Sequence, residues 1–314
     1  LNKGRVPEIS RYIVENRNDY VFSAITASVD GDLEFTPYDG DGTGGRVGSL
    51  RIPLAARFII NDGQHRRAAI ESALREQPDL AEETIAVVFF HDRGLERCQQ
   101  MFADLNRHAV RPSRSLGVLY DQRDVLAHVT RLVVAQDPLL RELVEMERST
   151  LSARSRRLFT LSAVYGATKA LLEGTELDVD EAGQKAAEYW REVAKIFPEW
   201  EAVRARRMSS GELRRDFLHS HAVVLQALGR VGNALLWESG GKGWKRQLRK
   251  LRSLDWSRSN SKLWEGRALS AGRVSKAGQH VRLTTNLIKN HLGLPLSPED
   301  QRVEDAFLRG ARGK

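Results

Sequence analysis

Asn61-Asp62-Gly63-Gln64-His65-Arg66-Arg67 stands between an apolar run that ends at Ile60 and a segment with helical spacing. The run predicts a buried strand, and the spacing predicts a helix that begins at Arg66 or Arg67 and ends near Leu74. A glycine between a strand and a helix permits a tight turn and lets a ligand approach the backbone. The first turn of such a helix directs its amides and the positive end of its dipole at an anion.

The side chains of the loop favour the same ligand. His65, Arg66 and Arg67 add donors beside the helix start, and arginine suits two-point contact with phosphate oxygens. In the simpler alternative, Asp62 caps the helix and the arginines are solvated. Cations are unfavourable at a helix N terminus unless an anion is present, which favours the ligand interpretation. The predicted phosphate or nucleotide site consists of Asp62, Gly63, Gln64, His65, Arg66 and Arg67.

The chain changes character near Pro112. Before that point, patterns typical of short strands (residues 20–29 and 84–91) alternate with patterns typical of helices (residues 7–16 and 95–107). From Ser115 onward the apolar residues recur at three- and four-residue spacing, which is typical of helices. The predicted helices there are 116–135, 138–146, 152–172, 181–197, 211–238 and 284–292, and the predicted connections include 174–180 and 198–211. The predicted fold class is therefore α+β, with a small mixed α/β domain over residues 1–112 and a mainly helical domain over residues 113–314.

Composition indicates the kind of partner. The 314 residues carry a net charge of +8, and such a surplus favours a polyanion, which can be DNA, RNA or an anionic membrane face. In the alternative, the basic surface serves solubility. No apolar run approaches the roughly 20 residues that span a bilayer, so no membrane partner is predicted. The single cysteine, Cys98, is compatible with a reducing cytoplasm. No metal site is predicted, because His219 and His221 would diverge by about 200° on a helix.

Three basic groups are candidates for contact with DNA phosphates. The first group (Arg107, Arg111 and Arg114) lies just after the α/β region. The second group (Arg154, Arg156 and Arg157) is interleaved with serine and threonine at a predicted helix start, which suits phosphate contact. The third group belongs to the segment 242–276, which has few acidic residues and also contains Trp244, Trp256 and Trp264. Tryptophans at this spacing are more often packing residues, whereas the charge excess favours a polyanion site. The candidate DNA-binding residues are Arg107, Arg111, Arg114, Arg154, Arg156, Arg157, Lys245, Arg246, Arg249 and Lys250.

The loop resembles the signature of a known group of proteins. Asp62-Gly63-Gln64-His65-Arg66 matches the motif of the DGQHR-domain proteins, which belong with the ParB and sulfiredoxin-like fold. Gln64 stands where sulfiredoxins have their nucleophilic cysteine, which argues against sulfinic-acid repair. A second stretch that ends in Asn106-Arg107 and is followed by Pro112 is similar to the second box of ParB proteins, and adds Asn106 to the nucleotide-binding candidates. In the alternative, Asn106 is the polar end of a helix.

Across most of its length the chain resembles the DndB family of the DNA phosphorothioation system. The resemblance covers segments from Leu1 to Glu299 and implies that the first strand of the family lies upstream of Leu1. It further implies a bacterial, cytoplasmic, nucleoid-associated repressor that binds double-stranded promoter DNA. ATP or another nucleoside triphosphate with Mg²⁺ is the implied candidate cofactor, and the phosphorothioation enzymes are candidate partners. Formation of a homo-oligomer is left open.

Three hypotheses therefore stand. The first, in which enzymatic activity is not favoured, is a DNA-binding regulator whose phosphate contacts come from Arg66, Arg67 and the basic groups. Its loop senses a nucleotide or grips the DNA backbone. The second is a ParB-like nucleotide hydrolase or DNA-nicking accessory protein, in which Gly63 to Arg66 hold the triphosphate while Asp62 or Asn106 positions metal or water. The third is a scaffold that recruits modification enzymes through the helical domain.

Overall fold

The computed structural model describes residues 3–38, 45–91, 95–107, 112–238 and 240–312. The chain divides into two compact units, Leu1–Arg111 and Pro112–Lys314. The boundary predicted from the sequence lies one residue further along. Helices predominate and the sheets are small, so the fold is mixed α+β.

The first unit is built on a three-stranded sheet. Its elements are α1 (Val6–Glu15), β1 (Ile25–Asp30), β2 (Glu34–Pro37), β3 (Gly48–Arg51), β4 (Arg57–Asp62), α2 (Gln64–Glu76), β5 (Val87–His91) and α3 (Leu95–Arg107), with 3₁₀ turns at Lys3–Arg5 and Pro78–Glu82. The central strand β1 pairs antiparallel with β4 and parallel with β5. Strands β2 and β3 form a separate hairpin.

Burial in this sheet differs from the prediction. Strand β1 is buried from Ile25 to Val29, whereas most side chains of β4 and every side chain of β5 are exposed. The sequence predicts a buried strand for the run that ends at Ile60, and a strand at residues 84–91. The exposure of Phe58 and Ile59 is contrary to that prediction, and Val87–Phe90 are exposed as well. Burial of strand side chains depends on what packs on the faces of the sheet, which the local sequence does not determine. The small core of this unit lies instead between α1 and α2, around Ile13, Ala69 and Ala73.

The second unit is helical. Its elements are α4 (Arg114–Tyr120), α5 (Val125–Gln136), α6 (Pro138–Leu143), β6 (Val144–Glu145), β7 (Phe159–Thr160), α7 (Leu161–Leu171), α8 (Val179–Ala194), α9 (Pro198–Arg204), α10 (Ser210–Asp216), α11 (Ala222–Asn233), α12 (Trp244–Leu248), α13 (Ser261–Trp264), β8 (Leu269–Ser270), β9 (Arg273–Val274), α14 (Gly278–Leu292) and α15 (Pro298–Arg312), with a π-helix at Ala234–Glu238 and a 3₁₀ helix at Arg249–Ser253.

Helices α7 and α11 pack closely at the centre of this unit. A Cβ atom at Gly229 would overlap the carbonyl oxygen of Ala167, so glycine is required for this approach. A second anchor is the buried ion pair between Arg267 and Glu304, whose nearest nitrogen and oxygen are 2.5 Å apart. Arg267 also donates to the carbonyl oxygen of Leu283 at 2.7 Å, and so ties α15 to α14.

Capping side chains divide segments that the apolar spacing predicts as single helices. The predicted helix 116–135 is two helices, because the Asp124 carboxylate accepts from the amide of Ala127 and starts α5 afresh. The predicted helix 152–172 begins only at Leu161, where the Thr160 hydroxyl accepts from the amide of Ala163. Conversely, the stretch 198–211, predicted as a connection, contains α9. Such local side-chain bonds compete with continuous helix.

Across the described ranges, the structure has no helix with the length and apolar character that crossing a membrane requires.

Candidate nucleic-acid interface

The predicted phosphate loop is a turn between β4 and α2. Gly63 has a φ of +97°, in the left-handed region that favours glycine, and α2 begins directly afterwards at Gln64. The helix therefore starts two or three residues earlier than predicted. Asn61 is buried at the end of β4, and its amide donates to the Ser28 hydroxyl at 2.7 Å. This bond fixes the strand end from which the loop departs.

Arg66 turns back into its own unit. Its Nη2 donates to the Asp62 carboxylate at 2.8 Å and to the carbonyl oxygen of Ala24 at 3.2 Å. The Arg66 side chain is only 20% exposed, and its buried Nε has no partner among the described residues. Arg66 thus joins the first turn of α2 to Asp62 and to the segment before β1.

The other loop side chains have different surroundings. Gln64 donates to the carbonyl oxygen of Ile60 at 3.0 Å, and His65 is half-buried on the first turn of α2. Arg67 is exposed and pairs with Glu71 at 3.3 Å, so both arginines of the motif already have acidic partners. Asn106 lies in α3, but the described structure does not extend to its side chain.

A cleft of about 500 Å³ adjoins Arg66. Its wall holds Glu83, which accepts from Arg17 at 3.2 Å and from the Tyr20 hydroxyl at 2.7 Å. The bond to Glu83, together with burial, raises the pKa of Tyr20. Positive and negative side chains thus share this cleft. In the described ranges, no group of three or more His, Cys, Asp or Glu side chains is placed to hold a metal ion.

The second basic group occupies a loop, contrary to the predicted helix start. Residues Arg148 to Arg157 lie between β6 and β7, outside any helix. Two short-range bonds shape the turn: the amide of Ser155 donates to the carbonyl oxygen of Ser152 at 3.1 Å, and the amide of Arg157 donates to the Ser155 hydroxyl at 3.1 Å. Serine bonds of this kind replace the backbone bonds that a helix would need.

Helix α10 holds this loop in place. The Arg214 guanidinium donates to the carbonyl oxygens of Ser152 at 2.7 Å and Arg157 at 3.1 Å, and burial lowers the pKa of Arg214. The Ser210 hydroxyl donates to the carbonyl oxygen of Ser155. A Cβ atom at Gly211 would lie 2.5 Å from the carbonyl oxygen of Ala153, so the loop rests directly on the α10 backbone.

A second arginine segment faces the loop. Arg204 is the last residue of α9, and the turn between α9 and α10 carries Arg206, which has a positive φ of 59°, and Arg207. The two segments line one cleft of about 640 Å³. This arginine cleft is defined by Arg154, Arg156, Arg157, Arg204, Arg206 and Arg207.

The arginines of the cleft differ in whether their side chains make hydrogen bonds or ion pairs within the protein. Arg157 donates to the carbonyl oxygens of Arg141 and Glu142, and Arg204 pairs with Glu201 at 2.8 Å. In contrast, the guanidinium groups of Arg154, Arg156 and Arg206 are exposed and make no hydrogen bond or ion pair with the described residues. These three cations are available to an anion.

One side of this cleft is not among the residues predicted from the sequence. Arg204, Arg206 and Arg207 were assigned to a connection, although Arg204-Ala205-Arg206-Arg207 is a local charge cluster that could have drawn attention to them. Their meeting with residues 154–157 depends on the packing of α10 and could not be read from spacing.

The tryptophans of the segment 242–276 are packing residues. Trp264 has 0% of its surface exposed, Trp256 6% and Trp244 9%, and Trp256 stacks on Trp264 with ring centroids 5.3 Å apart. Exposed stacking platforms for bases are therefore not provided by these three rings. The alternative weighed in the sequence analysis is confirmed for them.

The predicted cations of this segment fall into two sets. Lys245 pairs with Glu188 at 2.5 Å, and this bond raises the pKa of the lysine. Arg246, Arg249 and Lys250 are exposed on α12 and the 3₁₀ helix that follows it. The structure thus places three of the four on one short surface segment.

The first basic group is described only in part. Arg114 is the exposed first residue of α4, which the Ser113 hydroxyl caps by accepting from the amide of Leu116 at 3.1 Å. Arg107 ends α3, but nothing is described of its side chain, and Arg111 lies outside the described residues. Of this predicted group, the structure describes the side chain of Arg114 only.

Fold and site together define a two-unit α+β protein with a strand–glycine–helix loop in one unit and an arginine-lined cleft in the other. A family model described as DndB, DNA-sulfur modification-associated, matches residues 1–295. The chain therefore belongs to the DndB family, which is part of the DNA phosphorothioation system. Neither the curated proteins nor the solved structures compared with the chain include a match.

Proposed function

We propose that this chain binds double-stranded DNA and acts as a repressor of the genes of a bacterial DNA phosphorothioation system. The observation that carries the proposal is the arginine cleft, in which segments about 50 residues apart in sequence converge. Arg154, Arg156 and Arg206 have no internal partner among the described residues, so each can replace a counterion at a DNA phosphate. Membership of a family associated with DNA-sulfur modification supports DNA as the polyanion.

The cleft suits backbone contact better than base readout. Arginine contacts to phosphate fix the position of a protein on DNA without selecting a sequence. Exposed Arg246, Arg249 and Lys250 offer further phosphate contacts. Selection of a promoter then requires additional contacts. We propose that a second copy of this chain, in a homo-oligomer, or the phosphorothioation enzymes supply them. The proposed location is the bacterial cytoplasm, at the nucleoid.

A second candidate function is nucleotide binding or hydrolysis at the loop after β4. The left-handed Gly63 and the start of α2 support it, because they leave first-turn amides able to meet a phosphate. The same strand–glycine–helix arrangement supports a ParB/sulfiredoxin-like assignment for the first unit. The ion pair between Arg66 and Asp62 weighs against nucleotide binding, because it must break before the Arg66 guanidinium can contact a phosphate.

Fluorescence anisotropy with a labelled promoter duplex from the modification gene cluster tests the DNA-binding proposal. We expect saturable binding that the double variant Arg154→Ala/Arg156→Ala weakens at least tenfold at about 100 mM salt. The control variant Lys185→Ala/Arg191→Ala removes two exposed cations of α8 and should bind like the parent. Equal affinity of all three proteins, or no binding by the parent, would contradict the proposal. A promoter–reporter fusion then tests repression.

A further inference from the structure

His219 is a buried histidine with one unused donor. It lies between α10 and α11, is 1% exposed, and has its imidazole between Phe197, at a centroid distance of 4.4 Å, and Phe217, at 5.3 Å. Its Nδ1 accepts from the indole N–H of Trp200 at 2.9 Å. Because an indole nitrogen only donates, Nδ1 carries no proton and Nε2 carries the proton of the neutral ring. Burial agrees with this state, because it lowers the pKa of His219 to about 3.

The Nε2–H group has no hydrogen-bond partner among the described residues. Oε2 of Glu199 lies 3.6 Å from this nitrogen, which is too long for a hydrogen bond. The neutral imidazole also makes no ion pair with that carboxylate. Buried donors without a partner are rare in folded proteins and call for an explanation such as a bound ligand.

His219 and Glu199 both line a second cleft of the helical unit, with a volume of about 590 Å³. Phe197, Phe217 and Trp256 form its apolar wall. The Glu199 carboxylate is 29% exposed and makes no hydrogen bond with the described residues. A concave site of this size, with aromatic walls and a few convergent polar groups, is typical of small-ligand binding.

We propose that this cleft binds the Watson–Crick edge of a guanine base. Guanine presents one acceptor, O6, beside two donors, N1–H and N2–H, and these complement one N–H donor and a two-oxygen carboxylate. O6 accepts from Nε2 of His219, while N1–H and N2–H donate to Glu199. The other DNA bases offer Glu199 a single donor beside an acceptor. Rotation of the Glu199 side chain makes room for the base. The base then lies in the plane of the imidazole, with Phe197 on one side and Phe217 on the other.

Helix α9 connects this cleft with the arginine cleft. Glu199 on its first turn lines the guanine cleft, and Val203, one turn later, lines the arginine cleft. A seven-residue helix is about 10 Å long, so one nucleic-acid strand can reach both clefts. The guanine can therefore belong to a free nucleotide or to an unpaired position in DNA. The guanine proposal does not depend on the repressor function.

Nucleosides test the guanine cleft without engaging the arginines, because they carry no phosphate. Deoxyguanosine, deoxyadenosine, deoxycytidine and thymidine are titrated into the full chain, with binding followed by tryptophan fluorescence and by the Nε2–H proton resonance of His219. A second arm uses single-stranded oligothymidine with and without one central guanine. We expect at least tenfold preference for guanine in one or both arms, and the responding arm identifies the source of the base.

Glu199→Gln should reduce guanine affinity at least tenfold, because an amide cannot accept both donors. Glu181→Gln is the matched control, since it makes the same change in the first turn of α8 and should leave binding unchanged. Binding without guanine preference in both arms, absence of binding in both arms, or guanine binding that survives Glu199→Gln would overturn the proposal. The variant Arg154→Ala/Arg156→Ala should leave nucleoside binding intact, so failure here is distinguishable from failure of the DNA-binding function.

Discussion

The salt dependence of DNA binding should report directly on the arginine cleft. Arg154 and Arg156 are exposed, and their guanidinium groups make no hydrogen bond or ion pair with the described residues. Each phosphate contact contributes about 0.9 to the slope of log K against log salt. Removing both arginines should therefore lower the slope by about 1.8. Between about 50 and 200 mM salt, the parent should lose roughly tenfold more affinity than the double variant through these two contacts.

The same substitutions should leave the fold intact. Exposed side chains without partners change the free energy of unfolding by about 0.5 kcal/mol or less when truncated. Arg157 provides the contrast, because it donates to the carbonyl oxygens of Arg141 and Glu142. Arg157→Ala should lower stability by roughly 1–3 kcal/mol as well as weaken DNA binding, since it leaves carbonyl groups without their donor.

Anisotropy titrations at four or more salt concentrations give the slope for the parent, for Arg154→Ala/Arg156→Ala and for the control Lys185→Ala/Arg191→Ala. Urea unfolding of each protein checks that the fold is retained. An unchanged slope in the cleft variant, or an equal decrease in the control, would show that DNA does not enter the arginine cleft.

Three further predictions concern stability. Glu304→Gln should cost about 3–5 kcal/mol in urea unfolding, because it leaves the Arg267 charge buried, and Arg267→Met/Glu304→Leu should recover most of that loss; a cost below about 1 kcal/mol would contradict this. Gly63→Ala should lower stability by about 1–3 kcal/mol, because φ is +97° and its Cβ would lie 3.0 Å from Nη2 of Arg66, and an unchanged Tm would argue against the strained turn. As pH falls from about 6.5 to 5.5, His219 takes up a proton in the unfolded chain but not in the folded chain, where its pKa is about 3. The free energy of unfolding should therefore fall by up to about 1.4 kcal/mol per pH unit. The variant His219→Phe, unfolded at both pH values, should show a smaller fall.

Local chemistry made part of this structure predictable. A glycine between an apolar run and helical spacing predicts a strand, a turn and a helix, and Gly63 indeed joins β4 to α2. The helix 95–107 was predicted with the bounds that α3 has. Periodicity was less informative where a capping side chain restarts a helix, because Asp124 and Thr160 also fit a helical pattern.

Long-range contacts account for what the sequence could not predict. The apolar residues of β5 predict a strand, but their exposure depends on what packs on the faces of the sheet, and spacing along the chain does not determine this. Arg156 and Arg206 line the same cleft because Arg214, on α10, binds the loop that carries Arg156. The pairing of His219 with Trp200 depends on the packing of α9, and no spacing rule connects the two residues.

Charge balance separates the two candidate phosphate sites. At the loop after β4, Arg66 pairs with Asp62 and Arg67 pairs with Glu71, so the side-chain charges of the motif already cancel locally. The Asp62 carboxylate is 46% exposed beside the helix start and repels a phosphate that approaches the first-turn amides. An anion gains net attraction there only if Asp62 is neutralised or Arg66 is released. The arginine cleft presents cations that need no such release. We therefore expect the cleft to supply the salt-dependent affinity for DNA, and the loop to respond only to a ligand that can separate Arg66 from Asp62.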